Sequence, residues 1–77
     1  MNIRDEVEAV LERLDDDVAD QGMSYAEVAR RSGMDRSDVS KLLRREFRDG
    51  CMPKLQAIAK LARGLGYGIK LVLWRVR

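Results

Sequence analysis

The sequence contains no histidine and only one cysteine, Cys51, among its 77 residues. These absences exclude an internal disulfide, a Cys/His zinc site and a histidine-based catalytic triad. No apolar run is long enough to span a bilayer, and the first ten residues lack the basic start and apolar stretch of a signal peptide. The sequence therefore predicts a soluble, cytoplasmic protein that uses no metal and no cofactor and has no membrane partner.

Aromatic residues are also scarce: they make up 5% of the sequence, against 45% for all hydrophobic residues. Aliphatic side chains must therefore build the core, and the apolar fraction is too high for a disordered tail. A chain of this length forms one small domain that buries only about 60% of its unfolded surface. We expect a single domain over residues 1–77 whose stability is marginal unless a partner chain adds to its core.

Charge is distributed unevenly along the chain. Residues 1–29 carry nine acidic and two basic residues, whereas residues 30–54 carry eight basic and four acidic ones. Residues 55–77 carry five basic residues and no acidic one. This asymmetry favours a polyanionic partner for the basic part, although solvated helix faces are an alternative explanation. The acidic segment would be repelled by phosphate, so we expect it to lie away from a nucleic acid.

Apolar spacing predicts the first and fourth of four helices. The first covers residues 2–20, and its apolar residues follow a helical period: Ile3, Val7, Val10, Leu11, Leu14 and Val18. The fourth starts at Pro53 and ends at Gly64 and Gly66. Its apolar stripe consists of Leu55, Ile58, Ala59, Ala62 and Leu65.

Capping signals predict two short helices between them. Ser24 and Glu27 form a capping box that starts a second helix, which runs to about Ser32 and stops at Gly33. Asp35 caps a third helix that runs to about Arg45. Two helices joined by so short a glycine-containing turn cross steeply, and this is a helix-turn-helix over residues 24–45.

The glycine-centred pattern of this segment is specific. Ala29 lies four residues before Gly33, where a small side chain lets the helices approach, and apolar residues follow at Met34 and Val39. The segment YAEVARRSGMDRSDVSKLLR resembles the DNA-binding helix-turn-helix of the Xre family, the phage lambda-repressor-like proteins. Ser32 departs from the pattern, which usually has an apolar residue there, so we expect looser packing at this point. The resemblance implies a mainly α fold of four helices that binds DNA.

The third helix has an apolar side and a polar side, as a major-groove helix requires. Val39, Leu42 and Leu43 define the inward face. The family's reading positions, carried over to this sequence, assign base contacts to Arg36, Ser37, Ser40 and Lys41. Phosphate contacts are expected from Tyr25, Arg44, Arg45, Arg48 and Lys54.

Several of these residues have alternative interpretations. Arg44 and Arg45 could pair with nearby acidic residues, and Tyr25 could be a ring at the edge of the core. Asp35 and Asp38 are better explained as helix caps than as acceptors for cytosine. The absence of any paired nucleophile and base or carboxylate pair argues against an enzyme.

In the last segment Ile69, Leu71 and Leu73 alternate with Lys70, Val72 and Trp74, and this period of two with β-branched and aromatic residues predicts a β-strand over residues 67–76. This tail is similar to that of HigA-type antitoxins, in which a short C-terminal strand follows the DNA-binding domain. The chain offers no second strand, so we expect the strand to pair with its copy across a dimer. The residues assigned to this interface are Tyr67, Ile69, Leu71, Val72, Leu73 and Trp74.

Three functions are consistent with these features. The first is a dimeric transcriptional repressor that binds a palindromic operator near its own promoter. The second is an antitoxin that also represses its own promoter, with a toxin contacting the acidic first helix or the strand. The third is a protein-interaction module without DNA binding. In the first two, the aspartates at the end of the first helix meet a basic partner, either the tail of a second copy or the toxin: Asp15, Asp16, Asp17 and Asp20.

Overall fold

The computed structural model describes residues 3–47 and 51–76 and contains four helices within these ranges. They are α1 (Ile3–Asp20), α2 (Tyr25–Ser32), α3 (Arg36–Leu43) and α4 (Leu55–Gly64). The predicted number and order of helices are confirmed. The fourth helix was predicted to start at Pro53 but begins two residues later, at Leu55, with Lys54 in the N-cap position.

The core is aliphatic, as the composition predicts. α2 packs against both α3 and α4, and α1 packs against α3. No polar or charged residue in the described part of the chain is buried. No helix among these residues has the length and apolarity needed to cross a bilayer. Twelve buried side chains form one cluster: Leu11, Leu14, Val18, Val28, Ala29, Val39, Leu42, Leu43, Ile58, Leu61, Ala62 and Leu65.

In α1 and α4, some residues that were predicted to face the core are exposed, and one that was not predicted to face it is buried. Ile3 and Val10 belong to the predicted stripe of α1 but are exposed, and Leu55 of α4 is 51% exposed. Leu61, which the predicted stripe of α4 omits, is fully buried. Helical spacing allows more than one face to be turned inward, and the position of the neighbouring helices decides between them.

All four helices end in the same backbone motif. In each, an amide just beyond the helix donates to a carbonyl five residues earlier, at 2.9–3.1 Å, as in a Schellman motif. The residue before that amide has a left-handed φ: Gly22, Gly33, Arg45 and Gly66. Glycine adopts this conformation without strain, so Arg45 is the unusual member of the set.

α2 and α4 approach closely where Ser32 faces Gly64. A Cβ atom placed on Gly64 would lie 2.9 Å from the backbone and the Cβ of Ser32. The Ser32 hydroxyl donates to the Val28 carbonyl within its own helix, so it needs no partner across the contact. The expectation of looser packing at Ser32 is therefore wrong, because this small residue permits a close contact between the helices.

The tail does not form the predicted strand. Within the described residues no strand is present, and the chain from Gly68 to Val76 is irregular and exposed. Tyr67 anchors the start of the tail, since its ring packs on the core and its hydroxyl donates to Asp17. A strand needs backbone hydrogen bonds to a neighbour, and a single copy supplies none. The strand prediction is wrong for the single chain, and pairing with a second copy stays a prediction.

Candidate nucleic-acid interface

The start of α2 is fixed by Ser24. Its backbone is extended, and its hydroxyl accepts a hydrogen bond from the Glu27 amide at 3.2 Å. This half of the predicted capping box is confirmed. The Glu27 carboxylate instead accepts hydrogen bonds from Arg30 and Arg31 in the next turn. These bonds lower the pKa of Glu27 and hold both arginines along α2.

The turn between α2 and α3 depends on Gly33, whose φ of +67° closes α2. Met34 then packs partly against the core. Asp35 occupies the N-cap position of α3 with an extended backbone, but its side chain makes no capping hydrogen bond. The predicted position of the cap is therefore confirmed, whereas its predicted side-chain contact is not present. The helix starts because the Asp35 carbonyl accepts from the Val39 amide at 3.1 Å.

α3 separates its apolar and polar residues as the sequence predicts. Val39, Leu42 and Leu43 are buried and attach the helix to α1 and α2. The other five residues of the helix are polar; Ser40 is half-buried and the rest are exposed: Arg36, Ser37, Asp38, Ser40 and Lys41. The four residues predicted to read bases thus lie on one helix: Ser37 and Lys41 face away from the core, and Arg36 is exposed in the first turn.

Cations flank this face on both sides. Arg44 is exposed directly after α3, and Lys54 is exposed before α4. A cleft of about 310 Å³ separates the start of α3 from α4. Sequence reasoning missed Lys60 and Gln56, whose spacing of four residues places them on one side of α4. The cleft is lined by Gly33, Met34, Asp35, Asp38, Lys54, Gln56, Ala57 and Lys60.

Arg45 and Arg48 are the other two basic residues that were predicted to bind phosphate. The guanidinium of Arg45 donates to the Leu43 carbonyl at 3.0 Å, so this side chain closes the end of α3. Arg48 lies outside the described residues. Within those residues no cluster of metal-ligating side chains is present. The described part of the face can therefore offer hydrogen bonds and positive charge, mainly from Arg36, Lys41 and Arg44.

Tyr25 is positioned by α1. Its ring packs against the core, and its hydroxyl donates to Asp15 Oδ1 at 3.2 Å. Burial and the Asp15 charge raise the pKa of Tyr25, and Arg44 partly offsets this shift. The interpretation of Tyr25 as a core-edge ring is what the structure shows. No sequence pattern indicates this contact, because it depends on how α1 packs against α2.

Two of the four aspartates at the end of α1 are therefore engaged within the chain, Asp15 with Tyr25 and Asp17 with Tyr67. The other two, Asp16 and Asp20, are exposed. The prediction that all four meet an external basic partner is not supported for the engaged pair, and it remains a prediction for the exposed pair.

Comparison with known proteins agrees with this geometry. No curated protein and no solved structure matches the chain significantly. The family of Cro/C1-type helix-turn-helix DNA-binding domains matches residues 13–68, which include the second half of α1 from residue 13 and all of α2, α3 and α4. This match covers well over half of the chain and contains the whole predicted helix-turn-helix. The protein therefore belongs to the Cro/C1-type helix-turn-helix DNA-binding domains, a family of regulatory rather than catalytic proteins.

Proposed function

We propose that the protein is a sequence-specific transcriptional regulator that represses from a palindromic operator as a homodimer. The proposal depends on one observation: α3 buries all of its apolar side chains and exposes polar ones that include two cations, Arg36 and Lys41, and one carboxylate, Asp38. A helix of this kind fits the major groove, where base edges present distinct hydrogen-bonding patterns. The family supports DNA binding itself, and the face of α3 supports sequence reading.

The four residues of α3 that are predicted to read bases divide by chemistry. Arg36 and Lys41 are hydrogen-bond donors that suit guanine O6 and N7, whereas Ser37 and Ser40 can donate or accept. Arg44 and Lys54 are exposed at the two ends of the face and suit the phosphates on either side of the groove. Lys60 lies along the same cleft as Lys54, and Asp35 and Asp38 also line this cleft.

Replacing Arg36 or Lys41 by alanine tests base reading. The operator is first selected from a pool of random duplexes, and each variant is then titrated against operator and scrambled DNA. We expect either substitution to reduce discrimination by about 1–3 kcal/mol, because each removes a contact to a base edge. Arg44→Ala should instead weaken all duplexes alike and reduce the salt slope by about one unit.

Arg30→Ala is the matched control for these substitutions. Arg30 is exposed like Arg36, but it pairs with Glu27 on α2. We expect the control to retain discrimination between the two duplexes. Unchanged discrimination in both Arg36→Ala and Lys41→Ala would show that α3 is not the reading helix.

An antitoxin is the second candidate, favoured by the exposed acidic side of α1. Asp5, Glu12, Asp16 and Asp20 are exposed there and are suited to a basic protein partner. Both candidates predict operator binding, so the distinguishing test is co-expression with the product of an adjacent toxin gene. Relief of growth arrest, lost when Asp16 and Asp20 are changed to asparagine, would identify the antitoxin.

A further inference from the structure

Large exposed apolar side chains come mainly from three parts of the chain, namely α1, α4 and the tail. Ten large hydrophobic residues of the described chain are exposed, and only Met52 lies outside α1, α4 and the tail. A contiguous patch of exposed apolar side chains marks an interaction surface. The nine others are Ile3, Val10, Leu55, Ile69, Leu71, Val72, Leu73, Trp74 and Val76.

Four of these residues line a groove of about 350 Å³ between α1 and α4: Val10, Leu55, Ile69 and Leu71. Val10 and Leu55 line it from the two helices, and residues 68–71 of the tail form a further wall. Glu6 is also part of the lining. Beyond Leu71 the chain leaves the groove, and Leu73 is 99% exposed. The groove is thus partly filled by the start of the tail, while the apolar end of the tail has no cover within its own chain.

Charge and side-chain alternation favour a second copy of this chain as the occupant. The tail contains Lys70 and Arg75 and no acidic residue, whereas the first turn of α1 contains Asp5 and Glu6. An antiparallel pair of tails centred on Val72 would place Leu73 of one copy opposite Leu71 of the other. In this register Lys70 also lies opposite Trp74 of the second copy, a cation–π pair.

The same register determines which side chains of the second copy face the groove. Side chains directly opposite each other in an antiparallel pair lie on one side of the sheet, and alternate residues share that side. Ile69 and Leu71 line the groove. Leu73 and Arg75 of the second copy, which pair with Leu71 and Ile69, would therefore point toward it as well.

We propose that the groove between α1 and α4 of each protomer receives Leu73 of a second copy, with Arg75 of that copy against Glu6. The inference rests on the proposed function in taking the active species to be a homodimer. Beyond the homodimer itself, we infer that the interface joins the tail of one copy to α1 and α4 of the other. α3 does not line this groove, so both reading faces stay accessible.

Sedimentation equilibrium of the full chain tests the groove. Val10 is 47% exposed and Leu73 fully so, which lets both accept glutamate without loss of the fold, as far-UV circular dichroism would verify. Val10→Glu and Leu73→Glu should each raise the dimer dissociation constant at least about tenfold, because each places an unpaired charge in the interface. Met52→Glu, 38% exposed outside the groove, should change it by less than about twofold.

A charge reversal tests the contact between Glu6 and Arg75. Glu6→Lys and Arg75→Glu should each weaken the dimer, because each brings like charges together. The double variant restores the opposite charges and should recover most of the lost affinity, which a pair that is not in contact would not do.

Three results would overturn the proposal. They are a wild-type chain that is monomeric at about 100 µM, a dimer that Leu73→Glu weakens but Val10→Glu does not, and a double reversal without recovery. The second would mean that the tails pair without entering the groove. Discrimination by α3 is measured separately, with the Leu73→Glu monomer on a single half-site. Loss of the dimer with half-site discrimination intact would leave the DNA-reading proposal standing.

Discussion

At the scale of single residues, Arg45 has a conformation that usually selects glycine. Its φ is +56°, and its guanidinium donates to the Leu43 carbonyl at the end of α3. The other three helices have glycine at the equivalent position. Arg45 therefore combines backbone strain with a side-chain contact that closes the reading helix.

Two substitutions at Arg45 separate these effects. Alanine and glycine both remove the hydrogen bond to Leu43, but only glycine relieves the strain of the left-handed backbone. We expect Arg45→Gly to be more stable than Arg45→Ala by about 1 kcal/mol. Urea denaturation of both variants measures the difference. An alanine variant as stable as the glycine variant would mean that this residue is not left-handed in solution.

Tyr25 makes the stability of the folded protein depend on pH in the alkaline range. Burial and Asp15 raise its pKa in the folded state. The stability from such a group is fully present below the pKa of the unfolded chain, near about 10. It is lost as pH rises through the folded pKa. Tyr25→Phe should therefore lose less stability than the wild type above about pH 10.

The measurement is the free energy of unfolding in urea between about pH 8 and pH 11. Tyr67→Phe is a useful comparison, because this tyrosine also donates to an aspartate of α1. An identical alkaline slope in Tyr25→Phe and the wild type would show that the Asp15 contact does not persist in solution.

At the scale of helices, the contact between α2 and α4 depends on Gly64. Alanine would place a Cβ 2.9 Å from the backbone of Ser32, so the helices must shift. Overpacking costs about 1–3 kcal/mol, and the better helix propensity of alanine returns about 1 kcal/mol. We expect Gly64→Ala to be less stable by about 1 kcal/mol, measured by thermal and urea unfolding.

Gly68→Ala is the matched control for this substitution. Gly68 lies in the tail beyond α4, and a Cβ atom placed on it would meet no atom within 4 Å. We expect its stability to match that of the wild type within about 0.5 kcal/mol. A Gly64→Ala variant that is more stable than the wild type would contradict the close contact.

The helices also show which features can be predicted from residues that are neighbours in the sequence. Ser24 and Gly33 set the limits of α2 through contacts within a few residues, and they could be identified from the sequence alone. The contact between Ser32 and Gly64 joins residues far apart in the chain, so no local pattern indicates it. The same reason explains why the burial of Leu61 and the bonds of the two tyrosines to α1 were missed. The tail is a third case, because its strand requires a partner that one chain does not contain.

At the scale of the whole molecule, the acidic residues of α1 fall into two groups. Asp15 and Asp17 hold tyrosines of the same chain, whereas Glu12, Asp16 and Asp20 are exposed. Neutralising the exposed group as Glu12→Gln, Asp16→Asn and Asp20→Asn should leave operator affinity unchanged or slightly raised. The physical reason is that these charges repel phosphate from a distance and contact no base.

Fluorescence anisotropy with labelled operator measures this effect. Asp15→Asn in the same assay shows whether the Tyr25 contact also matters for the interface. A large loss of affinity in the triple variant, with circular dichroism unchanged, would place α1 at the DNA.

The packing of α1 behind α3 also affects how the protein meets its target. Exposed carboxylates are concentrated on α1, and exposed cations are concentrated on and around α3, so charge is distributed unevenly over the molecule. We expect the field of a DNA duplex to favour encounters in which α3 faces the DNA, which raises the share of productive encounters. Added salt should therefore slow association more than it shortens the lifetime of the bound state.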